Sequence, residues 1–128
     1  MQKLKHILVL FGIWLLVSAF TGLNPDISAA FKSGNAFKVS AFFPDKVDIT
    51  ILETSDLMSK LEAEKLVYDF FHAHPPIDFE ILHEVESKSG PEFTIGKLTT
   101  RNGTFRVSIY VNKTEKSEYI QQIIIDAE

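Results

Sequence analysis

FTIGKLTTRNGTFRVSIYV, Phe93 to Val111, is the stretch on which the fold turns. Asn102-Gly103 sits at its centre, and both residue types accept positive φ, so the pair reads as the two-residue turn of a β-hairpin. After the turn, Phe105, Val107, Ile109 and Val111 alternate with Thr104, Arg106, Ser108 and Tyr110. That is a strand with one apolar and one polar face. Before the turn, Phe93 and Ile95 share a face that Leu98 joins only if a residue is inserted between them. Gly96 is the expected site of that bulge, which would also bend the sheet.

Working outward, Phe79, Ile81, His83 and Val85 alternate as an earlier strand, and Ser87 to Gly90 turns the chain. Asn112 to Glu118 turns it again. Tyr119 to Ile125 closes it with isoleucines on both faces, Ile120 and Ile124 one way, Ile123 and Ile125 the other. A strand apolar on both sides is covered on both sides, by helices or by another subunit.

Helices precede this meander. Asn24-Pro25 opens the first, because Asn caps free N–H groups and Pro needs none at the first position. Gly34 closes it, and Asn35 caps a short second helix that Pro44 stops. Val47 to Leu52 alternates as a strand, followed by a polar stretch from Glu53 to Met58. Ser59-Lys60-Leu61-Glu62 is a capping box. It starts a helix with Ala63, Leu66, Val67, Phe70, Phe71 and His74 on one stripe, ended by Pro75-Pro76.

The N-terminus is a different kind of segment. Lys3 and Lys5 precede an apolar run from Ile7 to Val17, and Val17-Ser18-Ala19 supplies small residues for cleavage. This is a signal-peptide pattern, with a run about half the ~20 residues that span a bilayer. The expected organisation is residues 1–19 as signal peptide and 20–128 as one domain, periplasmic or secreted. Contact with the membrane is transient, through the signal alone. Loss of Lys3 and Lys5 from 13 basic residues against 17 acidic ones moves the formal charge from −4 to −6. An acidic chain without a basic stripe argues against nucleic acid. The absence of cysteine removes disulfides, thiol nucleophiles, thiolate metal sites and a lipid tether.

Two helices, a strand, a third helix and a four-strand meander make an α+β pattern. A bent antiparallel sheet wrapped around the helices makes a cone. The element order resembles the nuclear transport factor 2-like fold, also called cystatin-like. PDISAAFKSGNAF, FFHAHPP and IGKLTTRNGTFRVSIYV resemble a bacterial family of exported proteins, domain-of-unknown-function family 4783, from about Pro25 to Ile125. The resemblance implies the fold and implies no activity.

His83 is placed inward by its register, and histidine is a side chain suited to acid–base work, so it is the candidate base or ligand contact. Its bland alternative is a core-edge histidine. Tyr68 and His72, four apart on the long helix, share a face that is either a pocket mouth or a solvated edge. Phe71 and Phe93 are expected as cavity wall. His72 and His74 are two apart and point in nearly opposite directions, so no metal is expected. No cofactor is expected either. Arg106 and Tyr110 lie on the outer sheet row and are the interface candidates. The sequons Asn102-Gly103-Thr104 and Asn112-Lys113-Thr114 both fall at turns, and turn chemistry accounts for Asn102.

Three function classes stay open. One is a non-enzymatic domain binding a small apolar ligand or a protein partner, in the cone or on the sheet. The second is a lyase or isomerase with His83 as base and Tyr68 as donor, in the manner of fold relatives that use an acid–base pair. The third is a structural subunit that homodimerises through its outer sheet face. A cone packed solid with phenylalanine would remove the basis of the first two inside the cavity.

Overall fold

The computed structural model describes residues 22–88 and 90–128. The expected signal peptide, Met1–Ala19, lies outside them. Helices α1 (Pro25–Ser33) and α2 (Ala36–Ser40) come first, then strands β1 (Lys46–Ile51) and β2 (Thr54–Ser59). Helix α3 (Lys60–Ala73) follows, and β3 (Pro76–Val85), β4 (Glu92–Thr100), β5 (Gly103–Lys113) and β6 (Glu118–Ala127) complete the chain.

The caps form where the sequence places them. The Asn24 side chain accepts from the Asp26 N–H at 2.9 Å, and the Asn35 side chain accepts from the Lys38 N–H at 3.0 Å. Gly34 ends α1 at φ +66° and donates to the Ala30 and Phe31 carbonyls. Ser59 accepts from the Glu62 N–H at 3.3 Å and donates to the Glu62 carboxylate at 2.9 Å.

All six strands join one sheet in the order β2-β1-β6-β5-β4-β3. The meander β3 to β6 is antiparallel throughout. β1 joins it by parallel pairing with β6, Asp48 opposite Gln122 to Ile51 opposite Ile125. The polar stretch after β1 turns at Leu52–Glu53 and becomes β2, an edge strand. Its exposed, mostly polar residues carry no alternation, so its sequence reads as loop.

Ile27, Ala30 and Phe31 of α1, Val39 of α2 and Ala63, Val67, Phe70 and Phe71 of α3 are buried. With them lie the inward residues of the sheet: Val47, Ile49, Ile51, Leu98, Phe105, Val107, Ile109, Ile120, Ile123 and Ile125. Each complete burial of such a side chain stabilises by about 1.5–3 kcal/mol. That burial replaces the disulfides that a small domain of this kind often needs.

Three register expectations are corrected. β4 runs unbroken against β5 and has no bulge at Gly96. Thr94, Gly96, Leu98 and Thr100 face inward, so Phe93 and Ile95 face outward. The bulges lie in neighbouring strands instead. β3 has two extra residues, Ile77 between Pro76 and Asp78 and Leu82 between Ile81 and His83. Gln121 is the extra residue of β6, which turns Ile120 to the same buried face as Ile123 and Ile125 and leaves Ile124 on the other. The hairpin also shifts by one residue. Thr100 pairs with Gly103, so the loop is Arg101–Asn102. Gly103 carries the positive φ, at +135°, and Asn102 does not.

Gly96 has a packing role. The Phe79 ring of β3 lies over it, and a Cβ at position 96 would overlap that ring. Gly96→Ala should therefore destabilise by about 1–3 kcal/mol, the usual range for overpacking. Gly90, whose Cβ would meet only Ser87 Oγ at 3.4 Å, is the matched control. Gly90→Ala should stay within ~0.5 kcal/mol of wild type in urea unfolding. Equal midpoints for the two variants would refute the close-approach account.

Candidate functional site

The interior is filled. Phe31 stacks on Phe79 at 5.2 Å and meets Phe71 edge-on at 5.8 Å. Phe70 meets Phe105 edge-on at 5.0 Å. These rings occupy the space that an open cone would leave for a ligand. Phe71 is thus a core residue and not a cavity wall.

The Leu82 bulge reverses the strand beyond it. His83 is exposed and pairs with outward-facing Ile95, not with the core. Tyr68 is on the far side of the molecule, 58% exposed on α3, with its ring stacked on His72 at 5.9 Å. The sheet separates His83 from Tyr68, so the expected base–donor pair does not form. Tyr68 instead lines a shallow open groove of about 810 Å³ between α2 and α3, together with exposed Phe37 and Leu61. Among the described residues, no three His, Asp or Glu side chains converge as metal ligands.

The outer face of the sheet carries a continuous strip of apolar side chains. Helices pack on the other side, and among the described residues no helix covers this one. One cross-strand row reads Val85, Phe93, Tyr110, Gln122, Asp48. The next reads His83, Ile95, Ser108, Ile124, Thr50. Phe93, Tyr110, Ile95 and Ile124 are half-buried, and Phe93 packs on Tyr110 at 4.7 Å. Phe93, expected inside, belongs to this strip. Tyr110 and Arg106 lie on this face, in the row where the sequence reading put them. Tyrosine and arginine are enriched in protein interfaces.

Sequence reasoning missed one polar cluster. His74 Nδ1 bonds Asn102 Oδ1 at 2.9 Å. The Asn102 Nδ2 donates to the Ala73 carbonyl at 2.8 Å. Thr100 Oγ1 donates to Asn102 Oδ1 at 3.3 Å and to the Gly103 carbonyl at 2.7 Å. The His74 ring packs on Phe70 at 5.1 Å and on Phe105 at 4.8 Å. The cluster fastens the end of α3 to the β4–β5 hairpin, so turn chemistry does not account for Asn102. Its signal is tertiary, a helix end meeting a hairpin 28 residues away, and no local pattern carries it. Asn102→Ala should cost about 0.5–1.5 kcal/mol in urea unfolding by removing the hydrogen bonds to His74 and Ala73. A midpoint unchanged from wild type would reduce Asn102 to a turn residue.

Comparison with known proteins agrees with this architecture. The sequence model of the family "Domain of unknown function (DUF4783)" matches residues 24–126. A DUF4783 family protein from Bacteroides ovatus superposes with a TM-score of 0.78 at 28% identity, covering 85% of this chain and 98% of that one. One from Bacteroides uniformis gives 0.76 at 33% identity, covering 83% and 97%. An NTF-2 like protein of unknown function from Silicibacter pomeroyi gives 0.59 at 14% identity over the whole of both chains, a likeness of fold alone. No curated protein matches the chain.

Proposed function

The chain belongs to the DUF4783 family of domains of unknown function, and on that footing we propose an exported, non-enzymatic domain that docks a protein partner on the outer face of its sheet. The observation that carries the reading is the strip of Val85, Phe93, Ile95, Tyr110 and Ile124 on the face without helices. A protein suits that face better than a small molecule, because the strip lies on the open side of the sheet and small ligands bind in concave sites. Nothing in the family or in the placement of His83 and Tyr68 points to enzymatic activity. Export is supported by the signal-peptide pattern of residues 1–19 and by a family match that begins beyond it, at residue 24.

Photo-crosslinking tests the docking face. With p-benzoylphenylalanine in place of Tyr110, irradiated cells should yield a discrete protein adduct. The same probe at Lys38, exposed on the helical side, should yield none. An adduct at twice the monomer mass identifies a second copy of the chain, and any other mass a different partner. Adducts from both positions, or from neither, would remove the sheet face as the docking surface. The export arm is read by mass spectrometry. The mature chain should start near Phe20, and a cytoplasmic chain that retains Met1 contradicts it.

A further inference from the structure

The outer face changes character one step along β4 and β5. Next to the Ile95–Ser108 pair stands Lys97, directly opposite Arg106. Like charges directly opposite on neighbouring strands are destabilising. The next strands bring acids into the same row, Glu80 opposite Lys97 and Asp126 opposite Arg106. Among the described residues, however, neither cation reaches a carboxylate within the 4.0 Å of an ion pair; the pairs that form are Lys32–Asp78 and Lys113–Glu92. In a chain of net charge −4, two cationic residues are thus direct cross-strand neighbours at the foot of an apolar strip. Thr99 and Thr104 continue the same face beyond them.

We propose that the partner of this face is a protein segment combining apolar side chains with carboxylates. The inference rests on the docking role of the outer face and adds the chemistry of what docks there. The segment's apolar groups cover Phe93, Ile95, Tyr110 and Ile124. Its carboxylate lies about 7 Å away, one two-residue strand step from Ile95, between Lys97 and Arg106. The planar guanidinium of Arg106 suits two-point binding of a carboxylate. One anion there offsets the repulsion between the two cations, so binding gains from a cost already present in the free domain.

The test uses the purified protein and three fluorescein-labelled synthetic peptides, read by fluorescence anisotropy. One alternates isoleucine with glutamate; the others replace glutamate by glutamine or by lysine. The glutamate peptide should bind at least roughly tenfold tighter than the glutamine peptide and weaken as salt rises, as charge complementarity requires. The lysine peptide should bind weakest. Lys97→Gln together with Arg106→Gln should erase the preference for glutamate, and Lys97→Gln alone should reduce it, with the unfolding midpoint equal to or above wild type. Ile95→Ser should weaken the glutamate and glutamine peptides alike.

Equal affinity for the glutamate and glutamine peptides, or a preference that survives the double substitution, overturns the inference. If Ile95→Ser still weakens both peptides in that case, the docking face stands and only its acidic partner is lost. Absence of binding by every peptide overturns the inference as well, and binding indifferent to Ile95→Ser removes the docking face too. A dimer in sedimentation velocity that is lost in Ile95→Ser and not dissociated by the glutamate peptide assigns the face to a second copy instead.

Discussion

The Phe79 ring over the bare backbone of Gly96 is the contact on which the remaining packing depends. It lets β3, an edge strand, put a large aromatic flat against the neighbouring strand. Phe31 of α1 stacks on the other side of that ring, and Phe71 of α3 packs on Phe31. Four elements thereby share one column of rings. The column sets how closely the helices approach the sheet, and it closes the interior. A domain without a single cysteine needs such a column, because only burial resists the entropy of the unfolded chain.

Filling the interior moves any binding role to the surface. The strand irregularities at Leu82 and Gln121 then decide what that surface carries. An extra residue reverses every side chain beyond it. Leu82 sends His83 outward, and Gln121 leaves Ile124 as the outward isoleucine of β6. The two bulged strands flank β4 and β5, whose unbroken register aligns Phe93 with Tyr110 and Ile95 with Ser108. The apolar strip is assembled from regular strands in the middle and bulged strands on either side.

Much of this was legible in the sequence. Asn24, Gly34, Asn35 and Ser59 act locally, within a few residues, so their caps were read correctly. The helices, β1 and the four-strand meander followed from periodicity, and the family resemblance carried the fold. Side-chain direction was read less well. Bulges are settled by what neighbouring strands need, and an isolated sequence puts the irregularity at the most permissive residue, Gly96. That misplacement sent Phe93 inward, and reading β3 as an unbroken alternation sent His83 inward. β2 was missed because an exposed edge strand has no buried face to impose alternation. Arg106 and Tyr110 were placed correctly because β5 keeps strict alternation as far as Val111.

The position of β6 bears on timing. The last strand of the chain lies near the middle of the sheet, between β1 and β5. β1 and β2, made early, have no other route into the sheet than the parallel edge of those final residues. The core therefore closes only once β6 is in place, and closing it joins segments about seventy residues apart, which slows folding.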